Sequence, residues 1–248
     1  MTARAAGMTG AAVGLWSLRV GALDEAAVDA RELDADERAR LERLRHAADR
    51  VRYGAAHVAL RRLLGARLGV LPAEVAYFRE PCPCCGAPHG RPAVLGVPGA
   101  PHFSLSHGGD RVLIALAAQP VGVDVEPYPA ASDVPGLTGA LHPGERREIA
   151  ESGFAPAVFT RIWARKEAYL KGLGTGLGRP LDADYLGGTD AGPGPEGWSV
   201  SDVPVGAGHA AAVAVRAMAA RPRVDELDTG FVAAGWDRSG VRGPGPTG

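Results

Sequence analysis

Residues 121–127 read VGVDVEP. Side chains of a strand alternate between its faces, so Val121, Val123 and Val125 point one way while Gly122, Asp124 and Glu126 point the other. The two acids are therefore neighbours. Like charges at that spacing resist ionising together unless a cation or ordered donors sit beside them. Gly122 on the same face leaves a place where something can approach the backbone closely. A solvated strand face would account for an isolated Asp-x-Glu. A third carboxylate from elsewhere would instead make it a site for a hard cation such as magnesium, which takes few protein carboxylates, several waters and a substrate phosphate.

Working outward, FSLSHGGDRVLIALAA (103–118) and VGVDVEP are two apolar segments joined at Gln119-Pro120, and are expected to be paired strands. GLWSLRV (14–20) and VAYFRE (75–80) also have strand character. LDADERARLERL (33–44) predicts a helix with Asp34 or Asp36 as N-cap. A longer helix is expected from Ala48, where Tyr53, Ala56, Leu60, Leu63, Leu64 and Leu68 keep one apolar stripe, closed by Gly69 and Pro72. PCPCCGAPHGRP (81–92) has four prolines and two glycines and cannot be regular. Helical pattern resumes at PGERREIAES (143–152) and from Ala157 to Lys171, and short strands follow up to HAAAVAVRA (209–217). A long helix with short strands thus occurs once before and once after about residue 120. An α+β chain in two similar halves is expected, 1–120 and 121–221, with 222–248 as a disordered tail.

The 248 residues are 46% hydrophobic and 22% charged with a net charge of -1, the composition of a soluble globular protein. Nothing gives the clustered basic excess of a nucleic-acid footprint. Arginines do crowd between Arg38 and Arg67, either as a solvated face or as a surface for phosphates or an acidic partner. No apolar run reaches the length of a membrane span and no signal-peptide core precedes the first strand, so a cytoplasmic location is expected. Cys82, Cys84 and Cys85 are odd in number and share one loop, which argues against a disulfide framework. Cys82-x-x-Cys85 with His89 is half a zinc site, and no second ligand pair appears in the sequence. A turn presenting His89 and Arg91 to a ligand is the expected role of that loop.

Two further stretches carry chemistry. In FTRIWARKEAYLKGLGTGL (159–177), Trp163, Glu167 and Lys171 are four apart and share a helical stripe, and a Gly-rich loop follows. Taken alone, this is a Trp at the core's edge and a surface Glu-Lys pair. In FSLSHGG (103–109), Ser106 and His107 point to opposite faces of a strand, so they are no catalytic dyad, but with open amides they could grip a phosphate.

In order and spacing, PHGRP (88–92), FSLSH (103–107), VGVDVE (121–126), WARKEAYLK (163–171) and HAAAVAV (209–215) resemble the signature set of the Sfp-type 4'-phosphopantetheinyl transferases, over roughly residues 36–217. Where that family often has Asn-x-Ser-His-Ser, this chain has Ser104 and Gly108. The resemblance implies a pseudo-dimer of two α+β halves, each a small mainly antiparallel sheet packed on a long helix, with the active site in the cleft between them. It implies Mg2+-dependent transfer of 4'-phosphopantetheine from coenzyme A to a serine of an acyl or peptidyl carrier protein of fatty acid, polyketide or nonribosomal peptide synthases, by a monomer. Asp124, Glu126 and Glu167 would hold the metal, and Glu167 would also deprotonate the carrier serine. Lys171, assisted by Lys166, would stabilise the leaving bisphosphate. Ser106 and His107 would contact phosphate, His89 and Arg91 would face the 3'-phosphate or adenine, and Arg50, or in its place Arg52, would be a further 3'-phosphate contact. The GLGTGLGRP loop (172–180) and the helices of the second half, with Arg161, Arg165 and Arg179, are expected to dock the carrier. A non-catalytic coenzyme A-binding module and a Mg2+-dependent phosphohydrolase are the competing readings.

Overall fold

The computed structural model describes residues 13–188, 195, 197–216 and 223–234. In chain order the elements are β1 (Val13–Arg19), α1 (Ala35–Arg43), α2 (Ala47–Leu68), β2 (Tyr77–Arg79), β3 (Pro92–Val94), β4 (His102–Gly108), β5 (Arg111–Ala117), β6 (Val121–Pro127), α3 (Val134–Leu137), α4 (Pro143–Glu151), α5 (Pro156–Leu173), β7 (Ser199–Asp202), β8 (His209–Val215) and β9 (Val224–Leu227). It is an α+β fold. One sheet runs β4-β5-β1-β9, a second runs β6-β8-β7, and β2 pairs with β3 alone.

Local chemistry sets the helix ends. Asp34 accepts from Glu37 N–H and the Glu37 carboxylate accepts from Asp34 N–H, a reciprocal cap that starts α1. Pro143 and Pro156 open α4 and α5, where a missing N–H costs nothing. Gly69 and Gly174 end α2 and α5 at φ +76 and +79, a left-handed turn that a side chain would oppose.

Strand alternation builds the layers. Trp16, Leu18, Val112, Ile114 and Leu116 face α2, where Val51, Ala55, Val58 and Ala59 cover them. The opposite side of that sheet, with Leu15, Leu113 and Ala115, meets Val121, Val123 and Val125 of β6 and Val213 and Val215 of β8. Beyond the second sheet, Ala212 and Ala214 pack under Ala164 and Ala168 of α5. The order is helix, sheet, sheet, helix. The approach that Gly122 permits is that of α5: a Cβ there would fall on the backbone of Ala168 and Gly172.

Three expectations need correction. β6 does not pair with β5; it pairs antiparallel with β8, while β5 forms a hairpin with β4. The edges of the two sheets meet instead through side chains, because Ser104 Oγ accepts from Val123 N–H at 3.0 Å and Ser106 Oγ from Val125 N–H at 3.3 Å. Gly108 belongs to the same seam, since a Cβ there would stand 2.5 Å from Val125 O. The expected tail is in part ordered: β9 adds parallel to β1, and Phe231 and Val232 enter the core. Residues 222 and 235–248 lie outside the described residues. The basic run is not one solvated face either. Arg61 and Arg62 are fully buried. Arg61 pairs with Glu37 and Asp34 and donates to Pro72 O and Val75 O, and Arg62 pairs with Glu32 and donates to Phe231 O. Among the described residues no helix is long and apolar enough to cross a membrane.

Candidate functional site

A cleft of about 740 Å³ is lined from one side by Tyr53, His57, Ser106 and His107, and from the other by Asp124, Glu126, Glu167 and Lys171. His89, Gly90 and Arg91 of the loop between β2 and β3 form a further wall.

Asp124 sits at its floor. It faces α5 because the valines of β6 take the inter-sheet core, and only 1% of it is exposed. Its Oδ1 accepts from Lys171 Nζ at 2.6 Å and from Ser106 Oγ at 2.8 Å. Lys171 Nζ also donates to Ser106 Oγ at 3.0 Å. Oδ2 of Asp124 is buried without a partner. A buried carboxylate oxygen in that condition normally costs of order 1–3 kcal/mol, so it marks a place where a donor or cation fits. Glu126 is pushed up to about 7, first by burial and then by the Asp124 charge, against the pull of Lys171, with Glu167 adding to the rise. Glu167 is raised as well, by burial and then by Asp124. One ammonium therefore answers three carboxylates. Their oxygens do not all come within 4.8 Å of one another. The set suits a hard divalent cation by donor type, by the unpartnered oxygen and by the crowding of negative charge.

His107 points to the face of β4 opposite Ser106. Solvent reaches it from the cleft, yet the surrounding walls push its pKa down to about 4, helped by His57, Arg52 and Lys171. A neutral imidazole results at pH 7. It meets Tyr53 edge-on at 6.5 Å, and Tyr53 stacks on His57 at 4.1 Å. In the sequence Tyr53 reads as part of the apolar stripe and His57 is not singled out, so neither is expected at the site; their four-residue spacing on one helical face is the available signal.

The remaining expected site residues divide. Arg91 reaches the cleft but is tied down, pairing with Glu80 at 2.7 Å and donating to Gly172 O at 2.8 Å. It thereby clamps the loop to the end of α5. Ser106 lines the cleft with its hydroxyl committed to Asp124, Lys171 and Val125, so it positions these groups. Arg50 is not brought to the cleft: it pairs with exposed Glu25 at 2.8 Å and donates to Leu44 O. Arg52 donates to Gly109 O and stands near enough to act on His107. Lys166 is 2% exposed and turned away from the cleft, bound to Glu145 at 2.9 Å and to Asp184 O at 2.6 Å. Arg165 is equally structural, held by Asp202 and the carbonyls of Leu186, Gly187 and Gly188. Helical periodicity explains both misplacements, because Lys166 and Arg165 leave α5 on the side away from Glu167 and Lys171.

The sequence pattern of the 4'-phosphopantetheinyl transferase superfamily matches residues 120–195. A phosphopantetheinyl transferase of Thraustochytrium sp. (strain ATCC 26185 / S-3) is 34% identical over 188 residues, 68% of this chain and 63% of the relative. The 4'-phosphopantetheinyl transferase HetI of Nostoc sp. (strain PCC 7120 / SAG 25.82 / UTEX 2576) is 32% identical over 154 residues, 59% of this chain and 62% of the relative. The 4'-phosphopantetheinyl transferase Sfp of Bacillus subtilis (strain 168) is 29% identical over 96 residues, 38% of this chain and 42% of the relative. The chain spans about three fifths of the length of the first of these relatives, 63% and 62% for the two longer matches. The matched segment holds Asp124, Glu126, Glu167 and Lys171 together, so the candidate site lies where the chain is similar to the 4'-phosphopantetheinyl transferase superfamily.

Proposed function

We propose that this protein transfers 4'-phosphopantetheine from coenzyme A to a serine hydroxyl of an acyl or peptidyl carrier protein, in the presence of Mg2+, and releases adenosine 3',5'-bisphosphate. The observation that carries the reading is the buried, half-satisfied Asp124, with two carboxylates of raised pKa beside it in a cleft large enough for a nucleotide. The layered arrangement of helix, sheet, sheet and helix supports a pseudo-twofold pair of halves meeting at this cleft.

Asp124, Glu126 and Glu167 would hold the ion, which when bound supplies charge neutralisation and polarisation at the pyrophosphate. Lys171, whose side chain is 33% exposed, reaches the cleft from α5 and carries the positive charge suited to the leaving bisphosphate. Glu167, raised by burial, is the group positioned to take the proton of the incoming serine, directly or through a water. His107, neutral at pH 7, donates or accepts a hydrogen bond at the phosphates without adding fixed charge. Ser106 keeps Lys171 and Asp124 in register.

Incubation with coenzyme A, Mg2+ and an apo carrier protein, read by mass, tests the proposal. A phosphopantetheine-sized gain on the carrier is expected. Release of free phosphopantetheine would replace the reading by a phosphohydrolase, and no change by a binding module. Glu126→Gln and Glu167→Gln should each abolish transfer while coenzyme A binding survives in part; near-normal turnover in both would refute the metal assignment.

A further inference from the structure

The loop between β2 and β3 holds a second donor set, whose two thiols the proposed reaction does not use. Its backbone is closely tied: Cys82 N–H donates to Ala87 O, Gly86 N–H to Cys82 O and Gly90 N–H to Glu80 O, each at 2.8 Å. Gly86 takes φ +74 directly after Cys85, the left-handed step that turns the chain back. As a result the sulfurs of Cys82 and Cys85 and a ring nitrogen of His89 all lie within 4.8 Å of one another. Cys85 Sγ and His89 Nε2 are 3.0 Å apart. Cys84 interacts with the Cys82 thiol but does not join the mutual cluster with Cys85 and His89; its sulfur lies 3.7 Å from where a side chain at Gly178 would begin.

We propose that Cys82, Cys85 and His89 bind one Zn2+ ion, with the fourth tetrahedral position open to solvent, and that the ion fixes the loop walling the cleft. Two thiolates and an imidazole are the donors zinc selects, whereas magnesium takes oxygen. Bonds of about 2.3 Å to sulfur and about 2.0 Å to nitrogen set those atoms roughly 3.5 Å apart in a tetrahedron, so the trio needs to open by only about half an ångström between Cys85 and His89. Each thiol gives up its proton to solvent when its sulfur bonds the metal, two protons for each ion. Cys82 is buried while Cys85 and His89 are exposed, which leaves a path of entry. The spacing of the cysteines supplies two ligands; the fold adds the third by returning His89 over them. Nε2 of His89 would then serve the metal, and Arg91, two residues on, would be held where it clamps Gly172.

The test uses the full chain, reduced and stripped of metal, titrated with Zn2+ against a chromophoric chelator and separately with Co2+. One Zn2+ per chain, release of two protons, and a cobalt adduct with thiolate charge-transfer absorption and intense tetrahedral visible bands are expected. Cys82→Ser, Cys85→Ser and His89→Ala should each lose stoichiometric loading, while Cys84→Ser and Asp124→Asn keep it. No stoichiometric zinc in the wild type, a cobalt adduct without thiolate absorption, or loading that survives Cys82→Ser and Cys85→Ser would overturn the proposal. The cobalt spectrum of the wild type decides the matter even where a variant fails to fold.

Discussion

Gly122→Ala is the most direct perturbation of the seam between strand and helix that builds the cleft. A Cβ at this position would come closer than 3.0 Å to both Ala168 O and Gly172 N. These are backbone atoms inside α5, so no side-chain rotation relieves the clash; the helix itself has to lift from β6. Overpacking of a dense interior costs typically about 1–3 kcal/mol, and two backbone clashes put this site at the upper end, about 3 kcal/mol. For a chain of this size each kcal/mol lowers Tm by about 2–4 °C, so a fall of roughly 6–12 °C is expected. Circular-dichroism melts should be run beside Gly136→Ala, where an added Cβ meets nothing within 4 Å. That control should melt with the wild type. Lifting α5 also draws Lys171 Nζ away from Asp124 Oδ1, now 2.6 Å apart, so carrier modification should fall further than the folded fraction does. A Gly122→Ala protein melting within about 2 °C of the wild type would refute the close approach and with it the placement of Glu167.

Arg61→Met leaves Glu37 and the carbonyls of Pro72 and Val75 without their buried partner, and a urea titration should show a loss of about 3–5 kcal/mol; less than about 1 kcal/mol would contradict the network. A chain ended at residue 222 loses β9 and the burial of Phe231 and Val232, worth roughly 1.5–3 kcal/mol for each side chain, and should melt clearly lower; an unchanged Tm would restore the idea of a dispensable tail. Glu126 holds its proton up to about pH 7 when folded against 4.5 in the ordinary carboxyl, so the folded chain binds more protons between these values. Stability in metal-free buffer should therefore fall as pH rises from about 4.5 to about 7, and Glu126→Gln should flatten that fall; an identical slope in the variant would show that Glu126 is not the group responsible.

Alternation made the strand at 121–127 legible, and helical spacing made Glu167 and Lys171 legible as one stripe. Both readings depend on near neighbours in sequence. What the sequence hid depends on distant ones. Arg61 and Arg62 look like surface charge until Glu37, Asp34 and Glu32 are folded over them. Lys166 sits one residue from Glu167, and only the turn of α5 and the buried Glu145 decide that it serves the scaffold. Pairing of β6 with β8 crosses 82 residues at its nearest, Pro127 with His209, a distance over which periodicity is silent. Parallel addition of β9 to β1 is hidden for the same reason, since it pairs Leu15 with Val224, 209 residues further on.

The two serines of β4 explain how a carboxylate is afforded a place on the buried face of β6. A sheet edge leaves N–H groups unpaired, and burying them without partners is costly. Ser104 and Ser106 accept from Val123 and Val125 and so let the edges of two sheets close without a common ladder. Ser106 then has its proton left to donate, and Asp124 Oδ1 takes it. The seam that shuts out water is thus the seam that orients the acid. One oxygen of Asp124 is satisfied from within the fold, by Ser106 and Lys171, and the other is turned toward nothing the described residues supply. Glu126 and Glu167 crowd the same ground with a single lysine to offset three carboxyl groups. Above about pH 7 Glu126 gives up its proton, and the charge it adds beside Asp124 and Glu167 is one that a divalent cation offsets. Such a balance has little use in a scaffold and a clear one in the proposed reaction, which brings a pyrophosphate against carboxylates.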